Sequence, residues 1–121
     1  MLVAFSVAPS GTGERVATAQ GGRDDSVTAA VADAVRVVRA SGLPHRTDAM
    51  FTTVEGEWDE CMEVVRGAVE AVGRYGSRVS LVLKADIRPG TTGELQGKVD
   101  RLEAAVGEAS AASTGGSGER L

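Results

Sequence analysis

Aromatic side chains are scarce in this sequence, whose 121 residues include two Phe, one Trp and one Tyr. A core built from such a chain is thin and aliphatic, drawn mainly from Ala and Val, and the length leaves room for one domain. Short chains also bury a smaller share of their surface, so self-association as a homodimer or homotetramer is an expected extra source of stability. Cysteine is nearly absent. Cys61 stands alone, which excludes an internal disulfide, and with His45 as the single histidine no zinc site of known spacing can be assembled. A structural metal is therefore not expected. Basic charge is in deficit, with 13 Lys and Arg against 17 Asp and Glu and a net charge of −4. No Lys/Arg stripe interleaved with aromatics appears, so the electrostatic footprint of a nucleic-acid binder is missing. No apolar run approaches a membrane span, and residues 1–7 lack the basic region and small-residue cleavage site of a signal peptide. The expectation is a cytoplasmic protein that engages neither nucleic acid nor membrane.

Against these absences the hydrophobic pattern is informative. Residues 1–7 (MLVAFSV) are apolar and stop at Pro9, Ser10, Gly11 and Gly13, which predicts a first strand and a turn. Residues 14–25 have no period and contain Gly21 and Gly22, which predicts a loop. Val27, Ala30, Val31, Ala34, Val35 and Val38 recur at helical spacing, with Asp25 or Ser26 as N-cap and Gly42 and Pro44 as the stop. Residues 45–54 suit two short strands with a bend near Ala49 and Met50. A second helix opens in the acidic run Glu55, Glu57, Asp59, Glu60 and carries the stripe Trp58, Cys61, Met62, Val65, Val69, Val72. In residues 78–87, Val79, Leu81, Leu83, Ala85 and Ile87 alternate with Ser80, Val82, Lys84 and Asp86, the signature of a last strand with one face inward. Thr91 and Glu94 have capping-box spacing ahead of Leu95, Val99, Leu102 and Val106, so a third helix is predicted to about Glu108. Residues 109–121 are Ser-, Gly- and Ala-rich and read as a disordered tail behind a domain of residues 1–108.

The order strand, helix, strand, strand, helix, strand, helix predicts an α+β, ferredoxin-like βαββαβ sandwich with an additional C-terminal helix. Right-handed crossovers put the first two helices on one side of the sheet. The other side is then open unless a second subunit covers it, and function is sought there.

Few constellations carry chemistry. The Gly11, Thr12, Gly13 turn has Val16 where a dinucleotide loop needs a third glycine, and it lacks the Gly-Lys-Ser/Thr ending of a phosphate loop. Cys61 on an apolar stripe and His45 at a strand start have no reason to meet, so no catalytic residue is assigned. Asp59 and Glu60 serve a helix N-terminus, whereas Glu55 and Glu57 straddle a strand end and can project toward a site. On the open sheet face, Lys84, Asp86 and Ser80, joined by Ser6, share space with Leu2, Ala4 and Val82, a mixed surface suited to a ligand or to a second subunit.

Three stretches carry a family resemblance: MLVAFSVAPSGTGE, GLPHRTDAMFTTVEGEWDECMEVV and RVSLVLKADIRPG. The middle one, through Thr52, Thr53, Val54, Glu55, Gly56, Glu57, Trp58 and Asp59, is the most specific. Together they resemble the YkoF-like thiamine-binding family, of the MTH1187 type. One departure is an apparent insertion over residues 15–25, where relatives reach the first helix sooner. The resemblance implies a ferredoxin-like subunit that pairs through its sheet, commonly as a tetramer, and binds thiamine or its hydroxymethylpyrimidine part near the subunit boundary without catalysis. In kind, the residues suit that ligand. Glu55 or Asp86 would attract a thiazolium cation, and Trp58 or Phe51 offers a ring face. Thr52, Thr53 and Ser6 can each donate to and accept from an aminopyrimidine, so the expected ligand-binding set is Ser6, Thr52, Thr53, Glu55, Trp58, Lys84 and Asp86. Trp58 is equally readable as the leading anchor of the second helix's core stripe. Two alternatives stand beside ligand binding: a structural oligomer whose open sheet makes only subunit contacts, and an enzyme using Glu55 or Glu57 as acid or base.

Overall fold

The computed structural model describes residues 1–13 and 23–112. Four strands and three helices follow in the order β1 (Leu2–Ser10), α1 (Arg23–Ala40), β2 (His45–Thr47), β3 (Thr52–Glu55), α2 (Trp58–Val72), β4 (Arg78–Asp86) and α3 (Glu94–Ala112). The sheet order is β2-β3-β1-β4, with the β1–β3, β1–β4 and β2–β3 pairs all antiparallel. Two interleaved split βαβ units produce this order, so the fold is the ferredoxin-like α+β arrangement with an added helix.

Local detail departs from the sequence reading in three places. Helix α1 begins at Arg23, ahead of the Asp25 or Ser26 cap, and the predicted loop before it lies outside the described residues up to residue 22. Helix α3 continues to Ala112, four residues past Glu108, while the rest of the expected tail, 113–121, lies outside the described residues. Thr91 does not cap α3. Its hydroxyl donates to the Arg88 carbonyl at 2.7 Å within the preceding turn, and the helix starts three residues later, at Glu94.

The core lies between one sheet face and the α1/α2 pair. Val3, Phe5 and Val54 from the strands meet Ala30, Ala34 and Val38 of α1 and Cys61, Val64, Val65, Ala68 and Val72 of α2. Small residues let the two helices approach closely, as Gly67 makes plain: a β-carbon there would sit 2.9 Å from Val37 Cγ1. Val79, Leu83 and Ala85 of β4 pack at the margin of this core, whereas Leu81 and Ile87 are exposed. Trp58 is 53% exposed, so it is not the leading core anchor of α2. That position falls to Cys61, which is fully buried.

Register fixes what occupies the other sheet face. Glu55, Leu2 and Asp86 form one cross-strand row, and Arg46, Thr53, Ala4 and Lys84 form the next. Ser6 pairs with Val82 beyond them. The first of these rows is not bare, contrary to the expectation of helices on one side only. Here the opening turns of α3 cross the sheet end, because side chains of this face hold them there.

Candidate functional site

Glu55 is the pivot of the covered end. The strand alternation that points Val54 into the core turns Glu55 the other way, where it is nonetheless 7% exposed. Its two carboxylate oxygens accept hydrogen bonds from the first two backbone N–H groups of α3, Glu94 at 2.9 Å and Leu95 at 3.1 Å. A helix leaves its first N–H groups without internal partners, and a negative charge also complements the partial positive charge at that end. Glu55 therefore caps α3 from 39 residues away in sequence.

Two side-chain links assist it. Arg46 donates to Gln96 Oε1 at 2.8 Å, and the Lys98 ammonium pairs with the Asp86 carboxylate. The Lys98 hydrogen bond holds the Asp86 carboxyl below its ordinary range, and Arg101 does the same to Glu94, bonding it at 2.6 Å.

Beside Glu55 opens a cleft of about 470 Å³, within the size range of small-molecule sites. Leu43 and Pro44 from the turn before β2 form one wall, the Glu57/Glu60 start of α2 a second, and residues 91–96 a third. Glu60 Oε1 accepts from the Glu57 amide at 2.9 Å, which fixes the start of α2. The Met1 ammonium at the cleft's edge donates to the Gly56 carbonyl at 2.7 Å. Glu55, Glu57 and Glu60 line the cleft together with Met1, Leu43, Pro44 and Leu95, the Glu57 and Glu60 carboxylates also closing a capping box on α2, and Thr91, Thr92 and Gln96 add neutral polar groups. A cation with an apolar body suits such a lining.

The residues expected to share one ligand do not all meet. Thr52 and Glu55 lie three apart on β3 and so point to opposite sheet faces. Thr52 faces the helix side, its hydroxyl 3.3 Å from that of Thr47, and lines a separate 150 Å³ hollow with Ser6, Phe51 and Val31 under the β2–β3 hairpin. Trp58 borders a third hollow with Ile87 and Arg88. Thr53 and Lys84 lie on the open face in the row beside Glu55, and Asp86 is engaged by Lys98. Of the predicted set, only Glu55 lines the 470 Å³ cleft. Its other polar members, Glu57, Glu60, Thr91, Thr92 and Gln96, include four outside both the predicted set and the Glu57 alternative. The acidic run of residues 55–60 was the signal for Glu60; nothing local in sequence marks Thr91, Thr92 or Gln96, which arrive through the placement of α3.

Among the described residues, no cluster of three or more His, Cys, Asp and Glu is arranged to hold a metal ion. No helix among them is long and apolar enough to cross a membrane.

Comparison with known proteins converges on one family. The family model described as "Thiamine-binding protein" matches residues 3–103. The UPF0045 proteins Mb1933 of Mycobacterium bovis and MT1949 of Mycobacterium tuberculosis are each 50% identical over 104 residues, covering 85% of this chain and 91% of theirs. Among solved structures, the hypothetical protein MJ1052 of Methanocaldococcus jannascii superposes with a TM-score of 0.66 at 25% identity, over 84% of this chain and 94% of that one. TM0486 of Thermotoga maritima, a candidate thiamine biosynthesis/salvage protein, shares the fold with a TM-score of 0.62 at 24% identity, over 84% and 96%.

Proposed function

The chain belongs to the thiamine-binding protein family, and from that premise we propose that it binds thiamine, or the hydroxymethylpyrimidine part of it, without chemically converting it. The observation that carries the proposal is the cleft beside Glu55, where Glu55, Glu57 and Glu60 face a space of about 470 Å³ walled by Leu43, Pro44 and Leu95. A thiazolium cation is attracted by the carboxylates, and its removal from water is offset only where opposite charge is close. The Thr92 hydroxyl can donate to and accept from the pyrimidine ring, and the Thr91 oxygen, whose hydrogen is committed to the Arg88 carbonyl, can accept. The role of Glu55 as acid or base is disfavoured by its bonding, since both oxygens are engaged by backbone amides that hold a helix in place. Calorimetric titration tests the reading. Saturable heat with thiamine is expected, reduced when Glu57 and Glu60 are both replaced by Gln; absence of heat and of any thermal shift at millimolar thiamine and hydroxymethylpyrimidine removes it.

The same chain is proposed to pair with a second copy through the part of the sheet that α3 leaves uncovered. Val82 in that face is 53% exposed, and Leu102 and Val106 of α3 are 65% and 59% exposed. Apolar surface of this kind is the usual material of subunit contacts. Sedimentation velocity checks it: an assembly larger than one chain is expected at micromolar concentration, and Val82→Lys should shift it toward the monomer.

A further inference from the structure

Glu55 serves two partners that carry charge of the same sign. One is the N-terminus of α3, equivalent to roughly half a positive charge. The other, on the functional reading above, is a cation in the cleft that Glu55 lines. We propose that these partners compete, so that Glu55 couples occupancy of the cleft to release of α3.

The attachment of α3 is weak enough to be shifted in this way. Its polar links to the sheet among the described residues are the Glu55 cap, the Arg46–Gln96 hydrogen bond and the Lys98–Asp86 pair, all within residues 94–98, and its one half-buried large apolar side chain is Leu95 in the first turn. No apolar seal supplements them farther along: Val99, Leu102 and Val106 are exposed, as is every described side chain from residue 98 to 108. Both ionic side chains of the second link are also largely exposed, Lys98 at 59% and Asp86 at 46%, and exposed pairs contribute little. The Glu55 cap is the one strut that is buried. Gly90 and Gly93 bracket the turn that leads into α3, with φ of 83° and 70°, and a short turn of this kind can absorb the change in direction when the helix lets go.

A cation drawing on the Glu55 carboxylate weakens its bonds to the Glu94 and Leu95 amides and repels the positive helix end. Thermodynamic reciprocity then requires that loosening α3 tightens the ligand by the same factor. Because residues 91–96 form one wall of the cleft, loosening the start of α3 moves one side of the ligand's own site. The exposed stripe of α3 is thereby re-presented when ligand arrives, which gives the cleft a means of reporting its occupancy to whatever touches that helix.

Amide hydrogen exchange on the full chain, with and without thiamine, reads the coupling directly. The Glu94, Leu95 and Gln96 amides are expected to exchange about five times faster with thiamine bound, while the core amides of β1 do not change. Lys98→Ala, which removes an α3 link without touching the cleft, should bind thiamine about threefold to tenfold more tightly. Slower exchange at Glu94 and Leu95 with thiamine, together with weaker binding by Lys98→Ala, overturns the proposal and makes α3 a clasp. Heat of binding with unchanged exchange overturns the coupling and leaves the ligand reading standing. No heat from either the parent chain or Lys98→Ala overturns both.

Discussion

On the α1/α2 side of the sheet, Val3, Phe5 and Val54 are sealed by aliphatic side chains from two helices, whereas on the opposite side α3 is tied down by a carboxylate cap, one amide and one exposed ion pair. The first side is held by burial, which salt does not screen and which involves no titrating partner. The second is held by charge, which salt screens and acid removes. A domain of this kind has a fixed half and an adjustable half, and the cleft beside Glu55 lies on the adjustable one.

The comparison breaks first at the core, where the largest effect is expected. Phe5 is 2% exposed and central, so Phe5→Ala should cost about 3–5 kcal/mol in urea unfolding. A cost below about 1 kcal/mol would mean that the α1/α2 side is not the principal source of stability. Next comes Glu55→Ala, which leaves two N–H groups of α3 without their acceptor. The expected cost is about 1–2 kcal/mol, appearing as lost amide protection at Glu94 and Leu95 while β1 stays protected. Collapse of both regions together would show that the halves are one cooperative unit.

Acid titration sharpens the contrast further. Asp86 and Glu94 are held below their ordinary values, chiefly by hydrogen bonds from Lys98 and Arg101. A carboxylate whose folded pKa is depressed contributes in full above its unfolded pKa, and that contribution is lost as pH falls through the folded value. The Lys98–Asp86 link between α3 and the sheet, and the Glu94–Arg101 pair inside α3, should therefore hold above about pH 5 and fail progressively below about pH 4. Trp58, the single tryptophan, borders the β4–α3 turn beside Arg88 and Thr91, so its emission should change in that window before circular dichroism reports loss of the core. Simultaneous change in both signals would erase the distinction. The smallest expected signal is at Cys61, whose thiol is fully buried and whose pKa is raised by that burial. Iodoacetamide at pH 8 should leave it unlabelled over a period that fully labels the urea-unfolded chain, and rapid native labelling would mean that the fixed half opens readily.

How far the sequence discloses this arrangement follows the same division. The strands, the two core helices and the topology are legible because Val3/Phe5, Ala30/Ala34/Val38 and Cys61/Val65/Val72 recur at the periods of a buried strand or helix face. Trp58 misleads there, since it fits the stripe of α2 but stands at its first residue, beyond the reach of the opposing core. The site is legible only in part. The acidic run marks Glu55 and Glu57 while Glu60 reads there only as a helix-opening residue, and the local Thr91/Glu94 spacing suggests a self-contained cap where the actual cap is Glu55 on β3. A helix capped from a distant strand leaves no periodic trace. Thr52 and Thr53, adjacent in sequence, are separated by the sheet itself, and the two-residue alternation that divides them outweighs their likeness in chemistry.

Backbone amide chemical-shift mapping with thiamine tests the account most directly, because it compares the cleft and the hairpin hollow in one experiment. Shifts concentrated at residues 55–60 and 91–96, with Thr47 and Thr52 unmoved, are the predicted result. Shifts centred on residues 47–52, with Glu55 and the start of α3 undisturbed, would contradict it.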